Sequence, residues 1–412
     1  MSPEIIKQNN PGLSDFGVGT LMALSSQCLR CAKVPTECEI CLELCPKDAL
    51  AVGTTGRPHT TTDCIKCGAC VGVCPLNALA GSSKTVQSIN RLVLTASLRV
   101  EHLAITCERT SALLRLAKLT EHPKKAERAL KLIDDAAASD HLLKIPCIGM
   151  LPAELWFSFL NEIGVSKLEE LSVFLPSGQC ATCPVNAKDS IEDQFSTAIG
   201  QAETWTGQTV GILTTSEELP QTRKANVRAY LVGDFEVDRR GAFTGFVKEL
   251  KQSWEENAQV GNKALAEVQL QRERKASFER TRLSADIKNK IRPGKTPIIT
   301  PVRYAFMEAL GRNDAHAGEI VLRVSDTDNE RCTLCGTCVD ACPVHARCIL
   351  DAEGKAPATA EDKPLSTADA SVATNPLYCV ACSACLQACP EGACGFSEVV
   401  ASDFLFEELP EA

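Results

Sequence analysis

The sequence predicts a multidomain protein of mixed α+β and α/β class, in which two small cysteine-rich units flank a doubly wound parallel α/β domain. Cysteine motifs recur in two pairs, one towards each end of the chain. Between the pairs, apolar segments alternate in the pattern of strands and helices. A charge-rich segment without cysteine, residues 216–300, precedes the second pair. The predicted domains therefore span residues 26–85, 86–215, 216–300 (a helical linker) and 301–412.

The composition is that of a soluble globular protein apart from its cysteine content. The chain has 412 residues, enough for two or three domains; 44% are hydrophobic, 23% are charged and 23 residues are cysteine. Disulfide-rich proteins are usually short and secreted, and residues 1–4 begin no secretory signal, so we expect the reducing cytoplasm of an anaerobe. No apolar run reaches the roughly 20 residues that span a bilayer. The net charge of −9 argues against nucleic acid binding.

Three complete copies of one cysteine motif indicate the cofactor. Cys-x2-Cys-x2-Cys-x3-Cys-Pro occurs with its final proline at Pro75, Pro343 and Pro390. This spacing is the bacterial ferredoxin signature, in which three thiolates bind one 4Fe–4S cluster and the fourth binds a second cluster. Zinc sites favour separated Cys-x2-Cys pairs, often with histidine, and the six histidines show no ligand-like spacing. The sequence therefore predicts two ferredoxin-like units, each with two 4Fe–4S clusters.

The first motif of the N-terminal unit is distorted. It ends Cys38-x2-Cys41-x3-Cys45-Pro46, and Pro35 stands where the regular spacing would place the first ligand. Either Cys28 or Cys31 supplies that ligand; Cys28 is preferred because other ferredoxin-like sequences with one long gap resemble this spacing. Crossed ligation then predicts two N-terminal ligand sets, Cys28 (or Cys31), Cys38, Cys41 and Cys74, and Cys45, Cys64, Cys67 and Cys70.

The C-terminal unit carries two regular motifs. Crossed ligation predicts the sets Cys332, Cys335, Cys338 and Cys389, and Cys342, Cys379, Cys382 and Cys385. The segment Asp351–Pro376 between the motifs is rich in Ala, Thr and Pro and is predicted to be a surface loop. Cys348 and Cys394 receive no role.

Residues 86–215 show the alternation of a parallel sheet. Strands are predicted at Leu98–Thr106, Leu142–Pro146, Leu171–Leu175 and Thr209–Leu213, and helices at Lys124–Ser139, Pro152–Ile163 and Ile191–Ile199. Such sheets bind ligands at the carboxyl ends of their strands, where Cys107, Cys147, Cys180 and Cys183 fall. Four converging thiolates suit one 2Fe–2S cluster. The alternative is that Cys107 and Cys147 are ordinary buried cysteines.

A family resemblance covers residues 98–200. It rests on Ile145-Pro-Cys-Ile-Gly149, the strand Leu171–Leu175 and Gly178-Gln-Cys-Ala-Thr-Cys183. With these features the segment resembles the iron–sulfur delta subunit of methyl-viologen-reducing hydrogenase, although its last cysteine pair is more closely spaced than in that family. The resemblance implies a 2Fe–2S cluster on cysteines and electron transfer between hydrogenase or other donors and heterodisulfide reductase-type flavoproteins.

The expected function is that of an iron–sulfur subunit that relays electrons, with four 4Fe–4S clusters and one 2Fe–2S cluster. Catalysis would take place in a partner: a flavoprotein, a hydrogenase, a molybdenum enzyme or a heterodisulfide reductase-like subunit. The sequence contains no dinucleotide-binding fingerprint, P-loop or catalytic constellation of its own. A second interpretation makes the α/β domain an oxidoreductase with its own catalytic metal or flavin site. A third makes some clusters structural or redox-sensing; the missing DNA-binding motif and the acidic balance count against it.

Overall fold

A computed structural model of the chain describes residues 4–5, 22–24, 27–32, 36–54, 56–80, 86–120, 123–186, 190–220, 298–351 and 370–405. Most of the predicted helical linker, residues 221–297, lies outside these ranges. The first strand, β1 (Glu4–Ile5), pairs in parallel with β10 (Ile298–Ile299). Of the helices in the described part of the chain, none combines the length and the apolar character needed to cross a membrane.

The N-terminal unit combines a small antiparallel sheet with two short helices. Its strands, in the sheet order β3-β4-β2-β5, are β2 (Met22–Ala23), β3 (Leu50–Val52), β4 (Pro58–Thr60) and β5 (Leu79–Ala80). The helices are α1 (Ile40–Glu43) and α2 (Ala69–Val73), and each carries the third cysteine of a motif, Cys41 or Cys70.

The central domain contains a four-stranded parallel sheet of order β7-β6-β8-β9. Its strands are β6 (His102–Cys107), β7 (Leu142–Ile145), β8 (Glu170–Phe174) and β9 (Gly211–Leu213). Its helices are α3 (Val86–Ser97), α4 (Glu108–Thr120), α5 (Pro123–Ala138), α6 (Ala153–Leu160) and α7 (Ser190–Thr206). The predicted strand at Leu98–Thr106 begins too early, because a turn after α3 occupies its first residues. The sequence analysis does not predict α3 or α4.

Helix α5 shows why the helical pattern in this domain is readable. Its buried residues are Ala126, Ala129, Ile133 and Ala136, spaced three, four and three apart. This spacing places them on one face of a helix, while the charged residues lie on the other face. The prediction of a helix at Lys124–Ser139 therefore agrees with the structure to within a residue at each end.

Helix α8 (Pro301–Arg312) joins the central domain to the C-terminal unit. Thr300 caps it by accepting a hydrogen bond from the backbone N–H of Arg303, and Pro301 fits the first helical turn. Phe306 of α8 packs between Phe157 of α6 and Trp205 of α7, with ring centroids 4.9 Å and 6.0 Å away. The side-chain amide of Asn161 also donates to the Ala309 carbonyl at 2.8 Å. The two regions thus share one hydrophobic core.

The C-terminal unit contains two antiparallel strand pairs. Strand β11 (Val321–Thr327) pairs with β14 (Cys394–Val400), and β12 (Arg347–Leu350) pairs with β13 (Ser371–Thr374). Its short helices are α9 (Thr337–Asp340), α10 (Ala384–Ala388) and α11 (Ser402–Leu405). The loop predicted for Asp351–Pro376 is wrong at its end, because residues 371–374 form β13; the strand forms because Val372 is buried against Cys338 and Cys385.

Candidate metal centres

All four cysteine motifs end in the same backbone geometry. Four residues after the last cysteine of each motif, a backbone N–H donates to that cysteine's Sγ. The distances are 3.2 Å for Cys45, 3.3 Å for Cys74, 3.2 Å for Cys342 and 3.2 Å for Cys389. The donors are buried alanines, Ala49, Ala78, Ala346 and Ala393. Hydrogen bonds to ligand sulfurs are among the factors that set cluster potentials. The distorted motif thus ends like the regular ones, and the repeated Cys-Pro-x-x-Ala in the sequence could have revealed this.

The turn after each motif also recurs. The residue three positions after the last cysteine has a left-handed backbone, with φ of 48° at Asp48, 48° at Asn77, 55° at His345 and 57° at Gly392. These are residue types that tolerate such a conformation. In the three regular motifs, the residues on both sides of the second cysteine are left-handed as well: Lys66 and Gly68, Leu334 and Gly336, and Ala381 and Ser383. These turns wrap the backbone around the cysteine side chains.

We call Cys28, Cys38, Cys41 and Cys74 set A. Burial, together with the neighbouring thiols of Cys74, Cys38 and Cys28, raises the pKa of the Cys41 thiol to about 12. All four side chains line one cavity. Cys31 does not line it; its thiol interacts with that of Cys28. The structure thus places Cys28, rather than Cys31, with the other three cysteines.

We call Cys45, Cys64, Cys67 and Cys70 set B. Burial raises the pKa of the Cys70 thiol, and its neighbours Cys67, Cys41, Cys64 and Cys45 add to the effect. Cys74 from the second motif lines the set A cavity, as crossed ligation requires. The place of Cys45 in set B stays a prediction from the motif spacing.

We call Cys342, Cys379, Cys382 and Cys385 set C. Burial, together with the thiols of Cys342, Cys379 and Cys385, raises the pKa of the Cys382 thiol to about 12. The Sγ atoms of Cys379 and Cys385 also contact Ser325 of β11, which donates its backbone N–H to Cys379 at 3.4 Å and places Oγ 3.0 Å from Cys385. Set C is thus held by both strands and helices of the C-terminal unit.

We call Cys332, Cys335, Cys338 and Cys389 set D. Cys332 and Cys338 belong to one buried cluster, whereas Cys335 is exposed and lies 3.3 Å from the Thr337 hydroxyl. Cys394, the first residue of β14, packs against the same buried cluster. The sequence analysis gave Cys394 no role, although its position directly after Ala393 at the end of a motif was a signal.

We call Cys107, Cys147, Cys180 and Cys183 the central set. Cys107 is the last residue of β6, Cys147 lies two residues past β7, and the pair follows β8. All four line one cavity. Burial, together with the nearby carboxylate of Glu192, raises the pKa of the Cys180 thiol to about 12. The predicted convergence at the carboxyl ends of the strands therefore occurs.

Sequence analysis missed the polar residues behind the central set. Gln179 donates its side-chain N–H to the Sγ of Cys107 at 2.7 Å. Thr110 holds Gln179 by donating to its side-chain oxygen at 3.0 Å. Both residues are buried. This chain of hydrogen bonds fixes the direction of the Cys107 side chain, and such support around ligands is typical of metal sites.

The chemistry of these sets fits iron–sulfur clusters. Buried thiols that repel one another ionise only with a compensating cation, and a bound metal deprotonates cysteine outright. In the described ranges, no group of three or more Cys, His, Asp or Glu residues has the compact geometry of a single-ion site. Each set supplies four thiolates, the number that a 4Fe–4S or a 2Fe–2S cluster takes, and a cluster distributes its cysteines over several iron atoms.

The sets lie next to one another. Helices α1 and α2, which carry Cys41 (set A) and Cys70 (set B), pack against each other, and Cys338 (set D) and Cys385 (set C) lie in one buried cluster. Glu37, beside Cys38, is joined to Gln387 of α10 by two hydrogen bonds of 2.8 Å and 3.3 Å, which brings set A next to set C. A Cβ at Gly68, beside Cys67 (set B), would lie 3.3 Å from the side chain of Met150, three residues past Cys147 (central set). Each set thus has a neighbour in the order D, C, A, B, central.

Comparison with protein-family models gives two matches. A model described as a 4Fe-4S dicluster domain matches residues 326–390, and one described as a 4Fe-4S binding domain matches residues 59–80. These matches show ferredoxin-type 4Fe–4S domains towards both ends of the chain and confirm that part of the prediction. Neither match reaches residues 81–325, so the 2Fe–2S cluster and the resemblance to the hydrogenase delta subunit stay predictions. No curated protein matches the chain.

Proposed function

We propose that this chain is an electron-transfer subunit that holds four 4Fe–4S clusters and one 2Fe–2S cluster. Sets A to D would bind the 4Fe–4S clusters and the central set the 2Fe–2S cluster. When bound, such clusters supply redox centres whose potentials depend on hydrogen bonds, charge and burial. The polypeptide holds them in place, excludes water from most of them and brings them close together.

The observation that carries this proposal is the succession of contacts from set D to the central set. The two ferredoxin-like units contact each other directly, because the side chain of Gln387 forms hydrogen bonds with the backbone of Glu37. Arg303, which is only 4% exposed, adds a second tie by donating to the Cys379 carbonyl at 2.9 Å and pairing with Glu154 of the central domain at 3.0 Å. A subunit that relays electrons needs redox centres that lie close to one another, and these contacts support that arrangement.

The two ends of this succession suit different partners. At one end Cys335 of set D is exposed. At the other end Ala181 and Thr182, between the last two cysteines of the central set, are exposed. We therefore propose that one redox protein docks beside Cys335 and another beside Cys180 and Cys183. The partner classes are those expected above: a flavoprotein, a hydrogenase, a molybdenum enzyme or a heterodisulfide reductase-like subunit, in a reducing cytoplasm.

Anaerobic iron and acid-labile sulfide analysis, combined with EPR of the reduced protein, tests the proposal. Four 4Fe–4S clusters and one 2Fe–2S cluster contain about eighteen iron and about eighteen sulfide per chain. A content of about sixteen, without a 2Fe–2S signal, would remove the central cluster from the proposal. An iron content near eight per chain, unchanged by cysteine substitutions in one ferredoxin-like unit, would mean that only the other unit holds clusters.

A further inference from the structure

The two ferredoxin-like units differ in the residue type at one position of the repeated motif. The residue that follows the buried alanine of each motif is Leu50 or Leu79 in the N-terminal unit, but Arg347 or Cys394 in the C-terminal unit. The two C-terminal positions are neighbours, because Arg347 donates to Thr327, which pairs with Cys394 in the register of β11 and β14. The aliphatic pair of one unit is thus replaced by a charged and polar pair in the other.

Arg347 is one of the largest fully buried side chains of the protein, with 1% of its surface exposed. Its guanidinium donates to the hydroxyls of Ser325 and Thr327 on β11. The Ser325 hydroxyl in turn lies 3.0 Å from the Sγ of Cys385 in set C, and Cys385 shares a buried cluster with Cys338 of set D. The backbone N–H of Ala346, directly before Arg347, donates to the Sγ of Cys342 in set C. Arg347 therefore lies between set C and set D and touches the surroundings of both.

Within the part of the chain that the structure describes, no carboxylate forms an ion pair with Arg347. The N-terminal unit also has an arginine close to its cysteines, because Arg30 donates to the Cys38 carbonyl at 3.1 Å. However, Arg30 pairs with Glu39 at 3.7 Å, so its charge is partly cancelled. A buried guanidinium keeps its positive charge at any pH the protein meets.

We propose that Arg347 raises the reduction potentials of the clusters in sets C and D above those of the clusters in sets A and B. This inference rests on the proposed function. Reduction adds one negative charge to a cluster, and a fixed positive charge nearby favours the reduced form. Because the site is buried, water and salt screen this effect much less than at the surface. The C-terminal unit would then be the easier one to reduce.

The test is an anaerobic redox titration of the full-length protein, followed by EPR. The variants are Arg347→Leu, which copies the N-terminal unit, and Arg347→Lys, which keeps the charge. At a fixed potential, Arg347→Leu should lower the reduced-to-oxidised ratio of the C-terminal clusters about tenfold, which is 59 mV for a one-electron couple. The N-terminal clusters should not shift. Arg347→Lys should stay close to the wild type.

The matched control is Arg323→Leu. Arg323 is an exposed arginine on the same strand as Ser325, and it stacks on Phe396 instead of contacting the cysteines. Its removal changes the net charge equally but should shift no potential appreciably, because water screens it. The proposal is overturned if Arg347→Leu keeps its clusters and its potentials, or if Arg347→Lys shifts them as far as Arg347→Leu does.

A second measurement covers the case in which Arg347→Leu loses iron. Cys70→Ser, in set B, perturbs the N-terminal clusters, so the 4Fe–4S titration waves that stay unchanged belong to the C-terminal unit; the 2Fe–2S wave of the central set is set apart by its own EPR signal. With Arg347 present, these C-terminal waves must lie at a higher potential than the waves of sets A and B in the wild type. If they lie at a lower potential, the inference is wrong. Iron and sulfide content in the wild type tests the proposed function separately, since it reports cluster binding and not potential.

Discussion

Gly72 of α2 lies directly against the backbone of Met150, which follows Cys147 in the central domain. A Cβ atom at position 72 would stand 2.3 Å from the Met150 carbonyl oxygen. Only glycine fits this contact, and the contact brings set B of the N-terminal unit next to the central set. The close packing of the N-terminal unit on the central domain thus depends on the lack of a side chain at Gly72.

Gly72→Ala should therefore separate set B from the central set. The added methyl group meets backbone atoms that cannot rotate away, and overpacking of this kind costs about 1–3 kcal/mol. We expect a lower thermal unfolding midpoint and a weaker magnetic interaction between the two reduced clusters in EPR. Gly200→Ala is the control, because a Cβ there meets nothing within 4 Å and the residue lies inside α7. If Gly72→Ala and Gly200→Ala had the same unfolding midpoint and the same magnetic interaction, the close contact between Gly72 and Met150 would be contradicted.

Substitution in the central set should remove one cluster only. Cys147→Ala takes away a thiol that lines the same cavity as Cys107, Cys180 and Cys183. We expect about two iron and two sulfide fewer per chain, with the 4Fe–4S signals retained. Cys348→Ala, which changes a buried cysteine outside every set, is the matched control. If Cys147→Ala and the wild type have equal iron content, the central set is not a ligand set.

Cys28 and Cys31 should respond differently to substitution. Cys28→Ala removes a member of set A and should lower the content by about four iron and four sulfide. Cys31→Ala should keep both, since Cys31 does not line the set A cavity. Iron analysis and the intensity of the 4Fe–4S signals decide between them. The opposite pattern would assign the ligand to Cys31.

Phe306→Ala should destabilise the junction of the central domain and the C-terminal unit. Phe306 is fully buried and packs on Phe157 and Trp205. Truncation of a buried phenylalanine costs about 3–5 kcal/mol. We expect a clear loss of unfolding free energy in anaerobic denaturation followed by circular dichroism. Val165→Ala, at a site with 47% exposure, should change it by less than about 0.5 kcal/mol.

The order of strands and helices in the central domain was largely predictable from the sequence. Each predicted strand of the sheet overlaps an observed one, because hydrophobic periodicity is a local property. Helices α3 and α4 were missed, although Val86, Ile89 and Val93 recur at helical spacing on the buried side of α3. Helix α8 was also missed. Its packing partners lie about 100 to 150 residues earlier in the chain, where sequence periodicity gives no indication of them.

For the cysteines, the sequence by itself predicted the ligands and the exchange of the last cysteine between paired motifs. These predictions depend on spacing within a few residues and on a short proline turn. Only the tertiary structure showed that Cys28, and not Cys31, lines the set A cavity, that Arg347 contacts Ser325 beside set C, and that Gly68 lies against Met150 of the central domain. Those relations depend on the packing of segments that are far apart in the chain, and motif spacing carries no information about such packing.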